Sequence, residues 1–260
     1  MNSLLIYPDE VTNEGLVILS GERARHARED FHDVALGISV PAAIRDGNRG
    51  RATYKAITSE RVELNFESTA PPLERNPATL IVAISRPQTI KKVIQAGVFL
   101  GIRELFLVKT DRTERNYLSS RELRAERIAG EVERALEQTC DSISPRIEVG
   151  GALNELLRSR RGYKCAFFAH TGGGFDEGVP GLSVTQTRND DERCNKFSLE
   201  ANNDTIIAIG PEKGWSEREI RLFQECHFQP ISLGERVLRV DAAVYVATTA
   251  LVQNSFKTSV

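Results

Sequence analysis

The sequence predicts an α/β protein preceded by a smaller β-rich segment, and three observations carry that expectation. From Leu80 onward, short apolar runs alternate with segments of helical spacing, the pattern of a largely parallel sheet with crossover helices. Before residue 70 the apolar residues recur instead at every second position, the period of half-buried strands. Between the two, Thr69-Ala70-Pro71-Pro72-Leu73-Glu74-Arg75-Asn76-Pro77 carries three prolines and breaks both periods, which reads as a linker. The boundary falls near residue 75, giving an N-terminal domain over 1–75 and a C-terminal one over 76–260.

In the first segment Val62, Leu64 and Phe66 alternate with Arg61, Glu63, Asn65 and Glu67, as do Ala52, Tyr54 and Ala56 with their neighbours. Asp46-Gly47 between apolar runs signals a hairpin. The expectation is a small barrel or sandwich. Basic residues gather here, Arg23, Arg25, His26 and Arg28 in one run and Arg45, Arg49, Arg51 and Lys55 around the hairpin. They form either a solvated surface or a face that contacts phosphates.

After the linker, Leu80–Ile84 reads as a strand, Ile90, Val93, Ile94, Gly97 and Val98 as the apolar face of a helix, and Leu105–Val108 as the next strand. Ser119 with Glu122 has capping-box spacing ahead of a long helix with its apolar line at Ile128, Val132, Ala135, Leu136 and Thr139. The opposite face, with Arg124, Glu126, Arg127, Glu131 and Arg134, is expected in solvent. Ile147 and Val149 mark a short strand, Leu153–Arg158 a helix, and Cys165–Ala169 a buried strand. Residues 171–204 are polar, Gly-rich and weakly periodic, a surface insertion that is either functional or mobile.

The stretch from Ile206 to Leu251 organises the rest. Ile206–Ile209 reads as a fully buried strand that breaks into a loop with Gly210, Pro211 and Gly214. Ser216 and Glu219 form a capping box for a helix whose inward face holds Ile220 and Phe223. Pro230–Leu233 is a second strand, followed by the loop Gly234–Arg239 and a last helix from about Val240, apolar enough to be buried all round. Two strand-to-helix loops this close together would lie at the carboxyl ends of neighbouring strands, where open α/β sheets place ligands.

Composition sets limits. A chain of 260 residues can bury a sizeable core, and 40% hydrophobic with 27% charged residues is ordinary for a globular protein. A net charge of −2 supplies no average attraction to phosphate, so any nucleic-acid binder with this balance must segregate its cations. Cys140, Cys165, Cys194 and Cys226 show no paired spacing and no matching histidines, so no metal site is expected. The N-terminus lacks a basic, apolar leader pattern, and no apolar run reaches bilayer length. The expectation is a cytoplasmic protein with no membrane partner.

Gly210-Pro211-Glu212-Lys213-Gly214 resembles the GPEGG loop, and Leu233-Gly234-Glu235-Arg236-Val237-Leu238-Arg239-Val240-Asp241-Ala242 the LGxRILRxETA segment, of the bacterial 16S rRNA uracil-N3 methyltransferases, a branch of the knotted SPOUT class. Glu137-Gln138-Thr139 resembles the EQS signature of the same family. The resemblance departs from the family where Lys213 replaces Gly, Asp241 replaces Glu and Phe99 stands for a Glu, and where Cys140-Asp141-Ser142 lacks an arginine.

The resemblance implies a PUA-like β-barrel that holds RNA, a trefoil-knotted SPOUT domain and a homodimer. It also implies S-adenosyl-L-methionine (SAM) as methyl donor and 16S rRNA or the 30S subunit as partner, with N3 of a uridine, uridine 1498 in the family, as target. Three loops would hold the donor through His170 and Thr171, through Ile209, Gly210, Pro211, Glu212 and Gly214, and through Leu233, Gly234, Val237 and Leu238. Arg23, Arg25, Arg28 and Arg239 are candidate RNA contacts.

Methylating a uracil N3 requires loss of an imide proton, so a base or a cation should stand near the methyl group. Glu212 and Asp241 are candidate bases, and Arg236 and Arg239 candidate stabilisers or phosphate clamps. Each has a structural alternative: Asp241 as a helix cap, Glu212 as a loop brace, Arg236 as a holder of substrate or partner chain. Trp215 either flanks the pocket or packs beneath the loop. Two rival classes remain: a non-catalytic or differently targeted RNA-binding protein on the same fold, and a nucleotide-binding enzyme using Gly172–Gly174, against which stands the lack of any GxGxxG or Walker pattern.

Overall fold

The computed structural model describes residues 2–12, 15–31, 34–159, 163, 165–170 and 205–252. The chain divides into two compact units, Met1–Glu74 with Ala129–Ser144, and Arg75–Ile128 with Pro145–Val260.

The first unit contains β1 (Leu4–Ile6), β2 (Leu16–Ser20), α1 (Gly21–Glu29), β3 (Ser39–Ile44), β4 (Arg49–Ile57) and β5 (Arg61–Ala70). The strands form one curled half-barrel sheet in the order β1-β3-β4-β5-β2, with β1 parallel to β3 and the other pairs antiparallel. The period-2 pattern is realised directly. Val62 and Leu64 on β5 and Ala52 and Tyr54 on β4 are fully buried, while their odd-numbered neighbours face outward or lie half-buried. The hairpin between β3 and β4 turns over residues 45–48, where Asp46 takes a positive φ of 56° and the Gly47 N–H donates to the Ile44 carbonyl at 2.9 Å.

The basic run Arg23–Arg28 belongs to α1, a helix that the β-rich reading did not foresee. Ala24 and Ala27 give it a small apolar face on the core, and the Ala27 carbonyl accepts a 2.6 Å hydrogen bond from the buried Tyr54 hydroxyl. The proline stretch is shorter as a linker than its composition suggests, because β5 continues to Ala70 and the next strand begins at Asn76.

The second unit contains β6 (Asn76–Ala83), α2 (Pro87–Phe99), β7 (Ile102–Lys109), the single turn α3 (Arg115–Leu118), the start of α4 (Ala125–Thr139), β8 (Arg146–Ala152), α5 (Leu153–Ser159), β9 (Cys165–Ala169), β10 (Thr205–Ile209), α6 (Glu217–Glu225), β11 (Gln229–Ile231) and α7 (Val240–Val252). Its six strands are all parallel in the order β11-β9-β10-β6-β7-β8. The central strands β10 and β6 are buried on both faces, which explains their unbroken apolar runs. At the edge, β8 is largely exposed.

The Ser216/Glu219 capping box forms as the spacing predicts, with Ser216 Oγ accepting from the Glu219 N–H and the Glu219 carboxylate accepting from the Ser216 N–H at 2.8 Å. Phe223 on α6 is fully buried and stacks on Phe168 of β9 with centroids 4.8 Å apart.

Four expectations need correction. Ser120, not Ser119, accepts from the Glu122 N–H, and it caps a 3-10 turn, so α4 begins only at Ala125. On α4, Glu131 is buried rather than solvated, its carboxylate held by Arg134 at 2.5 Å. The strand expected over 230–233 is Gln229–Ile231. In α7, Val244 and Ala247 are buried but Tyr245 and Val246 are exposed, so the helix has an outward side. The insertion at 171–204, with Gly172–Gly174 and Cys194, lies outside the described residues.

Candidate functional site

The sheet order brings the ends of β9, β10 and β11 side by side, and the loops that leave them enclose one cavity of about 330 Å³. From β9 come Ala169 and His170. From β10 come Ile209, Gly210, Pro211, Glu212 and Gly214, and the loop after β11 gives Leu233, Gly234, Arg236, Val237, Leu238 and Arg239. Every residue expected around the donor from these three loops lines this one space, except Thr171, which lies outside the described residues. The volume falls within the range of small-molecule sites, about 300–1,000 Å³.

The walls are held by specific bonds. Trp215, 3% exposed, donates from Nε1 to the Ala169 carbonyl at 2.9 Å and meets Phe223 edge-on at 4.7 Å. It therefore does both things the sequence left open, flanking the cavity and packing beneath the loop. A Cβ on Gly210 would lie 3.1 Å from the indole Cε2, so a side chain here fits only if the indole gives by a few tenths of an ångström. Gly214 has a φ of 68° and closes the turn with its N–H on the Pro211 carbonyl at 2.8 Å. The His170 N–H donates to the Ile231 carbonyl at 3.0 Å and joins the first loop to the third.

Lys213, which departs from the family motif, is accommodated because its side chain leaves the cavity: Nζ lies 3.2 Å from Glu114, and its carbonyl accepts from Arg112 at 2.6 Å.

The charged candidates divide. Glu212 braces the loop, its Oε1 accepting from the Arg86 N–H at 3.3 Å. Arg236 is exposed on the cavity wall and forms no ion pair among the described residues. Asp241 does not line the cavity. Its carboxylate, in the first turn of α7, lies 3.4 Å from Arg239 and 3.8 Å from Lys92, so it anchors Arg239, whose own side chain remains 76% exposed. Arg86 and Thr89, at the start of α2, also line the cavity, and sequence reasoning missed them. The available signal was Arg86-Pro87 in the short turn between β6, the strand that neighbours β10, and α2.

Of the four RNA-contact candidates, only Arg239 lies at this cavity. Arg25 is exposed and paired with Glu22 at 2.7 Å and Glu29 at 3.0 Å. Arg28 donates to the Thr58 carbonyl at 2.9 Å. Arg23 is turned inward, bonded to Glu10 at 2.8 Å and to the Leu5 carbonyl, with its guanidinium 5.0 Å above the Tyr7 ring. Burial, reinforced by the hydrogen bond to Glu133, pushes the Tyr7 hydroxyl up to about 12. No group of three potential metal ligands occurs among the described residues, and no described helix is long and apolar enough to cross a membrane.

Comparison with known proteins places this geometry. Ribosomal RNA small subunit methyltransferase E of Treponema pallidum is 26% identical over 262 residues, covering 98% of this chain and 92% of that protein. Among solved structures, a ribosomal RNA small subunit methyltransferase E from Neisseria gonorrhoeae bound to S-adenosyl methionine superposes with a TM-score of 0.72 at 21% identity, over 96% of each chain. A putative methyltransferase from Legionella pneumophila in complex with bound SAM gives 0.71 at 20% identity, over 96% of this chain and 97% of that one. The fold is that of an N-terminal PUA-like β-barrel followed by a SPOUT domain. The sequence model of the RNA methyltransferase domain matches residues 72–252, most of the chain and all of the cavity wall, and the protein belongs to that family.

Proposed function

We propose that the protein is a SAM-dependent rRNA methyltransferase of the cytoplasm, working as a homodimer and methylating N3 of a uridine in 16S rRNA, the position equivalent to uridine 1498. The observation that carries this reading is the convergence of three strand-end loops on one cavity lined mainly by backbone and apolar groups. Such a lining suits a ligand with an adenine, a ribose and an amino-acid tail. The SAM-bound state of the two similar structures supports it.

When bound, SAM would supply an electrophilic methyl group on a sulfonium, whose methyl–sulfur bond breaks as the methyl is transferred and leaves a neutral thioether. Gly210 and Gly214 let the β10 loop come close to that ligand, and Trp215 fixes the loop against β9. The nucleophile is the uracil N3, which must lose its proton as the new N–C bond forms. Arg236, exposed and without an ion pair among the described residues, stabilises the negative charge that spreads over the uracil carbonyl oxygens. Glu212 braces the loop and is the carboxylate nearest to hand for the proton. Asp241 acts through Arg239 as a positioning residue, and Arg239 contacts the RNA backbone at the mouth. The N-terminal unit, through Arg25 and Arg28, adds RNA contacts of its own.

The test has two arms. Calorimetry with SAM should show binding at micromolar concentration, and small-subunit rRNA transcribed without modifications should gain one methyl group that nucleoside mapping places on a uracil N3. A methyl group on another base, or none, overturns the target assignment; no SAM binding overturns the whole reading.

A further inference from the structure

A second cavity of about 630 Å³ opens beyond the β10 loop, between the carboxyl end of β7, α3, the start of α5 and the outer side of α6. Its chemistry differs from that of the first. Lys109, Arg115, Arg158 and Arg221 line it, all four are exposed, and none forms an ion pair among the described residues. Of the three acids in its wall, two are already engaged. Asp111 holds Arg218 and accepts from Ser216 Oγ at 2.6 Å, so Arg218 and Ser216 keep its carboxyl below the usual range. Glu219 caps α6 and accepts from the Asp111 N–H at 2.8 Å. Among the described lining residues, only Glu225 opposes these cations. In a protein of net charge −2, four unpaired cations converging on one concavity are not the average of the surface.

The same loop ties this cavity to the first. Asp111 latches residues 110–113 to α6, and Arg112 donates to the Lys213 carbonyl at 2.6 Å, on the back of the loop that walls the donor cavity. A chain held in the basic cavity is therefore one hydrogen-bonded loop away from the donor cavity.

We propose that this cavity binds the phosphodiester backbone of the RNA substrate, on the strand that flanks the target nucleotide. The inference rests on the RNA-methyltransferase reading and adds to it a docking surface separate from the basic residues of α1. Phosphate contacts of this kind position the strand without reading its sequence. The guanidinium groups of Arg115, Arg158 and Arg221 offer paired N–H donors to phosphate oxygens, and Lys109 adds a point charge.

The experiment uses the full chain and unmodified small-subunit rRNA. The double variant Arg158→Gln/Arg221→Gln should raise the KM for RNA at least about tenfold while kcat at saturating RNA and SAM affinity stay near wild type. The slope of log binding constant against log salt should become shallower by roughly one and a half to two, the signature of two lost phosphate contacts. Arg158→Lys/Arg221→Lys should recover most of the affinity, since the charge returns without the fork. Arg127→Gln, an exposed cation of the same unit outside the cavity, is the control and should leave the RNA affinity unchanged. An unaltered KM and salt slope in the double Gln variant, or an equal loss in the Arg127 control, overturns the docking assignment while SAM binding stands. Failure of the wild type to bind SAM overturns the underlying reading instead, so the two failures are distinct.

Discussion

Trp215 Nε1 donates to the Ala169 carbonyl at 2.9 Å, and this one bond joins the loop after β10 to the end of β9, two walls of the same cavity. Trp215→Phe keeps most of the packing against Phe223 but leaves that carbonyl without its partner. The expected cost is about 1–3 kcal/mol in stability, read as a lower urea midpoint, together with weaker SAM binding in calorimetry. Trp215→Ala should cost about 3–5 kcal/mol, because a cavity is added to the lost bond. Unchanged SAM affinity in both variants would show that the wall does not need this tie.

Gly210→Ala tests how little room the β10 loop leaves. The new methyl would lie 3.1 Å from the indole Cε2, so the ring must shift by a few tenths of an ångström while its Nε1 is bonded to Ala169. Weaker SAM binding is expected with little change in fold. Gly214→Ala acts by a different cause: its φ of 68° costs a side chain about 1–2 kcal/mol wherever the neighbours lie. The first change should therefore move SAM affinity more than melting temperature, and the second should move both.

Much of this was legible from the residues, and the exceptions have physical reasons. Strands at the centre of the parallel sheet declare themselves because both faces are buried, as at Ile206–Ile209, and Ser216 with Glu219 marks a helix start by local bonding alone. The loops after β10 and β11 were legible because Gly210, Pro211, Gly214 and Gly234 break the apolar runs and match a family motif, whereas the His170 loop followed only from that resemblance. The helical state of Arg23–Arg28 was not, since its apolar face is only Ala24 and Ala27, too weak for a periodic signal. Nor was the inward turn of Arg23, which depends on Glu10 and Tyr7 being brought to it by the fold. Arg86 and the basic cavity of α3, α5 and α6 were missed for a related reason: their members are scattered along the chain and meet only through the sheet order.

His26 gives the first unit a predictable pH dependence. Its Nε2 lies 2.9 Å from the buried Glu137 carboxylate and its Nδ1 2.5 Å from Asp30, and the same Glu137 carboxylate also attracts Arg23. The hydrogen bond to Glu137 outweighs partial burial and raises the imidazole above its usual 6.5. A raised folded-state value means the protonated histidine stabilises the fold fully below about 6.5, and that contribution is lost as pH rises through the shifted value. The urea midpoint should fall over that upward window, and His26→Gln should flatten the curve. A wild-type midpoint that stays level from about pH 6 to pH 9 would remove the histidine from the account.

Arg236 and Asp241 can be separated by what each mutation changes. Arg236 has no ion-pair partner among the described residues, so Arg236→Ala should leave stability and SAM affinity close to wild type. If its guanidinium meets the charge that develops on the uracil, kcat should drop on the order of a hundredfold. Asp241 stands behind the wall, between Lys92 at 3.8 Å and Arg239 at 3.4 Å. Asp241→Asn removes the anion that holds both, so its first effects should be a stability loss of about 1 kcal/mol and a higher KM for RNA as Arg239 loses its anchor. A base role for Asp241 predicts the reverse pattern, a collapse of kcat with KM unchanged, which steady-state kinetics on unmodified small-subunit rRNA would detect directly. Arg239→Ala supplies the remaining comparison: combined with Asp241→Asn it should add little to the KM, since a side chain acting only through Arg239 has nothing left to position once that arginine is gone.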